Sequence, residues 1–523
     1  MKFRYARFLC VLSIIIIIIV FTVNKIRSKN NSNMNNEQVT NDIIYYDTLK
    51  IGISSFDTVN PILTKNKEMI NINQLIYEPL VELDSEYKLN LVLAKEYAKT
   101  SATTYIVKIN NDIKWSNNTE FSSEDVKYTI DLLKSTNNIY SENVKNILSV
   151  DVIDNATLKI TLKEEMYFFE YNLIFPIMSK NHYEGENFFN SDKQPIGTGM
   201  YKISSITNEE IILEKNENYR NQDKINKNIN KISITMFKEM GELYNSFKMG
   251  NIDLINTSSL NYQEYIGIIG YYAKEYKGRE CDFLSFNCDD YLVEEKAVRQ
   301  AINYAIDKDN IVSKQYNNKY YISNFVLDYG SYIFNQKSLS LGYNPEKSKE
   351  ILVNNGWVYT NNKWKKNGSY LELTISVNSS NSQRVQVAEI IKTQLENIGI
   401  KVYIKELSDS QYKYVLENKN YQILLTGVYN GLSPDLTYFY GANNLANYKN
   451  ETVLNVMKEV KNITEQNVLE EKHKELVNIV KDECPYISLY RNRNTLIINQ
   501  NLIGNFEPTN YGIYKNFESW NKQ

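Results

Sequence analysis

The chain has 523 residues, 42% hydrophobic and 23% charged, a length that outgrows one hydrophobic core and predicts two or three domains. Lys and Arg number 59 against 62 Asp and Glu, and six of the basic residues (Lys2, Arg4, Arg7, Lys25, Arg27, Lys29) precede position 30. The remainder is therefore acidic, which argues against a nucleic-acid-binding domain.

The first predicted element is "FLCVLSIIIIIIVFTV", Phe8 to Val23, an apolar run with basic residues on both sides. As a helix it spans about 24 Å, a little under the hydrocarbon thickness of about 30 Å, so it reads as a short anchor or the core of a secretion signal. No small-x-small cleavage site follows in "TVNKIRSK", and Cys10 precedes the run, badly placed for a lipoprotein cleavage site. We read residues 1–29 as an uncleaved membrane anchor and 30–44, polar and asparagine-rich, as a solvated tether.

Beyond the tether, "TLKIGIS" reads as a strand and "MININQLIYEPLVEL" as a helix that breaks near Pro79. "YIVKIN" and "ATLKITLK" alternate at period two, as half-buried strands do. Between them "FSSEDVKYTIDLLK" has a capping signal, Ser122 with Asp125, and an apolar stripe of Val126, Ile130 and Leu133. In "PIGTGMYKI" the two glycines, Gly197 and Gly199, suggest a phosphate loop. Such a loop must feed a helix, yet here a strand and then a second strand, in "NEEIILEKNENY", follow. The glycines are read instead as a tight bend entering a hairpin.

"MGELYNSFKMGNIDLIN" is a helix ended by Gly250 and followed by a strand. "DFLSFN" is a strand, and "EEKAVRQAINYAIDKDNIV" a helix with Val298, Ala301, Ile302 and Ala305 on one face. "NPEKSKEILVNNGW" places Asn344 at the cap and Pro345 in the first turn. From "LELTISV" to "YQILLTGVY" the order is β-α-β-α-β, which implies parallel strands with crossover helices.

Catalytic chemistry has little to work with. His182 and His473 are far apart in polar sequence and are expected to face solvent; no H-E-x-x-H, G-x-S-x-G or P-loop pattern occurs. Paired acids (Glu164-Glu165, Asp289-Asp290, Glu294-Glu295) are neighbours that do not face one another on a helix. The cysteines, Cys10, Cys281, Cys288 and Cys484, fit neither a zinc spacing nor a disulfide framework; free thiols are expected, with one bridge among the last three as the alternative. No enzyme, metal or cofactor is expected.

The segments "NQLIYEPLVELD", "LAKEYAKT", "IKWSNNTEFSSEDVKYTI", "PIGTGMYKI", "LEKNENYR", "MGNIDLI", "FLSFN", "VRQAINYAIDKDNIV" and "NPEKSKEILVNNGW" occur in an order that resembles the extracytoplasmic solute-binding proteins of ABC transporters, family 5, the oligopeptide, dipeptide and nickel-binding group. The resemblance runs from about residue 45 to about residue 500. It implies an α/β, two-lobed periplasmic-binding-protein-like fold (type II, cluster C) with an inserted α+β subdomain in the first lobe. The implied boundaries are 45–80 and 195–286 for lobe I, 81–194 for the insertion, 287–489 for lobe II, and 490–523 for the C-terminal return to lobe I. "FLSFN" and "ISLYRN" become the crossings between lobes, with a hinge near Phe286 and Tyr490; Cys281 and Cys484 lie just before them.

The resemblance also implies the ligand site. The family's peptide binders hold a terminal amine with an aspartate in a motif like D-Y-x-D-P; the matching place here is "YNGLSP", with Asn430 where the aspartate is expected and Asp435 as a substitute. An asparagine lacks the charge that strengthens such a bond, which leaves room for a modified peptide or another solute. Asn60, Lys65, Asn287, Tyr329, Tyr332 and Tyr429 are the other candidates, Lys65 suiting a ligand carboxylate. The expected function is a monomeric, membrane-tethered extracytoplasmic receptor that captures oligopeptides and delivers them to an ABC permease. The alternatives are a tethered sensor of a signalling peptide, or a binder of a metal chelate or sugar.

Overall fold

Alternation between buried and exposed side chains organises the chain from its first strand onward. The computed structural model describes residues 47–54, 56–190, 193–327, 342–460, 463 and 465–523. The expected anchor and tether, and Tyr329 and Tyr332, lie outside the described residues.

Strand β1 (Thr48–Ile53) leads into helix α1 (Lys67–Ile76), which starts where the Asn66 side chain accepts the Met69 N–H at 3.1 Å. Next comes a four-stranded antiparallel sheet in the order β2 (Ala94–Ser101), β3 (Thr104–Ile109), β5 (Thr157–Leu162), β4 (Ile147–Asp154). Strands β3 and β5 bury every second residue, Tyr105, Val107, Ile109 and Leu158, Ile160, Leu162. Helix α2 (Ser123–Ser135) packs on this sheet; the expected capping box is present, with Asp125 Oδ2 accepting the Ser122 N–H at 2.9 Å. Val126, Ile130 and Leu133 share one core with Leu49, Ile51 and Ile234, so the inserted unit and the first lobe are packed together.

The hairpin β6 (Tyr201–Ile206) and β7 (Glu210–Lys215) returns the chain to the first lobe, followed by β8 (Lys231–Met236), helix α3 (Met240–Lys248) and β9 (Leu254–Thr257). The glycines before this hairpin have a different reason from the expected bend. A side chain at Gly197 would overlap the Ile76 carbonyl, and one at Gly199 would come within 2.6 Å of the Leu75 oxygen. The loop lies flush against the end of α1, where the Gly199 N–H donates to the Ile76 carbonyl at 2.9 Å. Close approach, not left-handed backbone, selects glycine here.

Strand β10 (Tyr271–Phe286) is much longer than the expected "DFLSFN". Two helices follow it, α4 (Lys296–Ala305) and α5 (Lys308–Tyr316), where one was expected. Ile306 is extended, and Asp307 restarts the helix by accepting the Asn310 N–H at 2.9 Å, since an aspartate with free neighbours below it is a better cap than helix interior. Strand β11 (Tyr321–Ile322) and helix α6 (Pro345–Asn354), capped by Asn344, precede the α/β lobe: β12 (Glu372–Asn378), α7 (Ser382–Asn397), β13 (Lys401–Leu407), α8 (Asp409–Asn418) and β14 (Ile423–Tyr429). Both β13 and β14 pair with β12 in parallel, as the β-α-β-α-β order requires. Its core, with Leu373, Ile375, Val402, Leu425 and Ile391, is separate from that of the first lobe.

Helix α9 (Gln466–Glu483) brings the chain to β15 (Tyr486–Asn499), which closes one sheet in the order β13-β12-β14-β10-β15-β9-β1-β8-β7-β6, with β11 added to β15. Strands β10 and β15 serve both halves of that sheet. Tyr271 to Lys277 pair with Asn499 to Arg493, next to β9, whereas Glu280 to Phe286 pair with β14. The register shifts between Lys277 and Cys281, and the freed Glu280 N–H donates to Asn492 Oδ1 at 3.1 Å. Gly278 leaves the room that the Asn492 amide occupies.

Cys281, Cys288 and Cys484 are free thiols; Cys281 Sγ lies 3.2 Å from Ser488 Oγ. Among the described residues no helix is long and apolar enough to cross a membrane.

Candidate functional site

A cleft of about 710 Å³ opens beside the register shift. Its size suits a small-molecule or short-peptide site. One wall is a face of α1: Lys67, Ile70, Gln74 and Tyr77 recur at helical spacing, while Met69, Ile72, Leu75 and Ile76 turn into the core. The inserted unit adds Tyr140, Glu142 and Tyr171; the crossing strands add Tyr276, Arg279, Asn492 and Asn494; the residues after β14 add Leu432 and Ser433. Both lobes and the insertion therefore contribute.

The wall is wet by chemistry but unsatisfied. Asn73 is 5% exposed, and neither its amide nitrogen nor its oxygen has a hydrogen-bond partner; the Tyr77 hydroxyl, on a residue 2% exposed, is also unpartnered. Asn510 Oδ1 is a fourth such atom. All three residues line the cleft. Buried polar atoms left without partners are costly.

The charge is one-sided. Lys65, Lys67 and Arg279 line the cleft, and among the described residues none has a carboxylate within ion-pairing distance. Glu142, on the opposite wall, pairs with Lys145. Arg279 is held by its Nε, which donates to the Asn430 carbonyl at 2.6 Å, and by the Tyr429 ring, 4.4 Å from its guanidinium. Burial pushes the phenols of Tyr77, Tyr140, Tyr276 and Tyr511 up, so each stays protonated at neutral pH.

Of the residues predicted from sequence, Lys65 and Tyr429 line the cleft. Asn60 is buried and turns its loop, its Oδ1 accepting from the Ile62 N–H at 3.1 Å. Asn287 holds two loops together, its Oδ1 accepting from Asn447 at 3.0 Å and its Nδ2 donating to the Lys419 carbonyl at 3.3 Å. Asp435 caps the next helical turn by accepting from the Thr437 N–H at 2.8 Å. Asn430 is buried, and its Oδ1 accepts from Arg491 Nη1 at 2.8 Å.

Lys67, Asn73, Tyr77, Tyr276, Arg279 and Asn492 escaped the sequence reading. For the first three, the helical register of "KEMININQLIY" held the signal; for Arg279 and Asn492 nothing local did. One expectation is corrected. His473 is buried against Phe168, with ring centroids 5.7 Å apart, and does not face solvent, because its side of α9 is a packing face. Among the described residues no group of three or more His, Cys, Asp or Glu is arranged to hold a metal ion.

The family model described as "Bacterial extracellular solute-binding proteins, family 5 Middle" matches residues 88–450. The chain is 23% identical over 492 residues to the oligopeptide-binding protein AppA of Bacillus subtilis, covering 88% of this chain and 89% of that protein. It is 25% identical over 359 residues to the nickel-binding periplasmic protein of Escherichia coli, covering 66% and 68%. The crystal structure of a nickel ABC transporter from Bacillus halodurans is similar with a TM-score of 0.76 at 17% identity, covering 91% of this chain and 100% of that one, a likeness of fold.

Proposed function

From the premise that the chain belongs to the bacterial extracellular solute-binding proteins, family 5, we propose that it captures oligopeptides in the interlobe cleft and delivers them to a membrane permease. It is an extracytoplasmic ABC substrate-binding protein, and its relatives are solute-binding proteins, not enzymes. The observation that carries the peptide reading is the cleft of about 710 Å³ with amide and hydroxyl groups on its walls. Extended main chain offers the matching donors and acceptors, and wet side-chain pockets tolerate variety. Lys65 and Tyr429 are two of the contacts.

Closure follows from the strands that join the lobes. The register shift between Lys277 and Cys281 is a natural place for rotation, and a ligand touching both walls shifts the population toward the closed form. The apolar run from Phe8 to Val23 supports attachment of the receptor to the membrane, with residues 30–44 as spacer.

Native mass spectrometry of the full chain in mild detergent tests the reading. A retained mass resolving into short peptides is expected, with titration calorimetry showing binding of a mixed short-peptide set. A metal chelate or sugar in the cleft, with no peptide binding by folded protein, overturns it.

A further inference from the structure

The cleft has a direction. Helix α1 lies along it for the ten residues from Lys67 to Ile76, about 15 Å. At one end stand Lys65, just before the Asn66 cap, and Lys67, in the first turn where the helix dipole is positive. Further along come the unpartnered amide of Asn73 and then the unpartnered hydroxyl of Tyr77. Arg279 adds a third cation from the crossing strand.

The acidic groups near this end do not cancel it. Asp57 spends its oxygens on Thr64 Oγ1 at 2.5 Å, the Lys65 N–H at 2.6 Å and the Thr58 N–H at 2.7 Å. Glu68 is half-buried and does not line the cleft, and its carboxylate acts on Lys67 and Tyr276 only from behind the wall, outside ion-pairing distance. The remaining carboxylate, Glu142, already has Lys145. Among the described residues Glu142 is the one carboxylate lining the cleft, and it is already in an ion pair.

We propose that the cleft selects an extended anionic ligand, with carboxylates at the Lys65–Lys67 end and neutral amide groups along the rest of the wall, and that it does not require a free amine. This rests on the peptide reading above and gives it a charge and a length. At about 3.3 Å per residue, 15 Å of wall accommodates about four to five residues. Lys65 and Lys67 are specificity-determining because they are exposed on the cleft wall and, among the described residues, neither has a carboxylate within ion-pairing distance.

The test is calorimetry on the full chain with four probes: an N-acetylated tetrapeptide ending in two glutamates, its lysine counterpart with an amidated end, a free-amine neutral tetrapeptide, and citrate. The acidic peptide is expected to bind roughly ten- to hundredfold tighter than the lysine peptide, a range set by charge-assisted hydrogen bonds. The double substitution Lys65→Ala, Lys67→Ala removes that margin, and Lys65→Glu, Lys67→Glu reverses it, with circular dichroism reporting the fold. Equal binding of acidic and basic peptides, indifferent to the lysine substitutions, overturns the charge inference and leaves the peptide reading standing. Lysine-dependent citrate binding without any peptide binding upholds the charge inference and overturns the peptide reading. Folded protein that binds none of the four overturns both.

Discussion

Arg491 Nη1 donates to Asn430 Oδ1 at 2.8 Å, with both residues buried where the strand β14 side meets the crossing strand β15. Asn430 is therefore an acceptor for an arginine of the protein itself. Asn430→Ala removes that acceptor and is expected to cost about 1–3 kcal/mol, measured by urea unfolding. Asn430→Asp places a carboxylate against Arg491, so the fold is retained. Calorimetry with free-amine and N-acetylated forms of one peptide is expected to show no new preference for the free amine.

Gly197 is pinned by its neighbour rather than by its own backbone. Gly197→Ala drives a methyl group into the Ile76 carbonyl at the end of α1. The expected loss is about 2–3 kcal/mol, the upper part of the range for overpacking. Since α1 forms a cleft wall, ligand affinity should fall along with stability. A thermal melt unchanged from that of the natural chain contradicts this account.

Arg384 grips Asp282 with two hydrogen bonds, Nε to Oδ2 at 2.9 Å and Nη2 to Oδ1 at 2.8 Å, while the Tyr490 hydroxyl donates to Asp282 Oδ2 at 2.9 Å. Burial works against the charged guanidinium, but the hydrogen bonds and charge of Asp282 outweigh it and hold the pKa of Arg384 above its ordinary value. Arg384→Ala leaves a mostly buried carboxylate with one partner fewer. A loss of about 3 kcal/mol is expected, and Arg384→Ala with Asp282→Asn should recover part of it in a double-mutant cycle.

His473 gives the stability a pH dependence. Burial pushes its imidazole below the ordinary value of 6.5, against the pull of the Leu469 and Pro434 carbonyls. The fold therefore prefers the neutral ring. Above 6.5 the contribution is fully present; as pH falls through 6.5 the unfolded chain takes up a proton that the fold resists, and stability declines toward the lower folded pKa. The slope from this one group is at most about 1.4 kcal/mol per pH unit. Chemical unfolding at pH 7.5, 6.5 and 5.5 is expected to show a flatter profile for His473→Gln than for the natural chain.

Local signals in the sequence marked most of the elements and very little of the cleft. Caps such as Ser122 and Asn344 act within four residues, so their helices were legible, as was the parallel lobe from its alternation of strand and helix. The first half of β10, "YYAKEYKGRE", was not, because a polar strand shows no buried face and takes its pairing from β15, far away in sequence. Asp307 was misread for a related reason: apolar residues on both sides kept the helical period across a cap. Arg279, Asn492 and Arg491 owe their roles to a register shift, which no spacing in the chain announces.

The freed amide of Glu280 rests on the side chain of Asn492, and Asn492 also forms part of the chamber floor. One carboxamide thus fastens the irregular step in the ladder while lining the cleft. Whatever displaces that carboxamide loosens the fastening at the same moment. If the lobes turn at this step, as proposed above, occupancy and lobe angle would be mechanically linked at a single side chain.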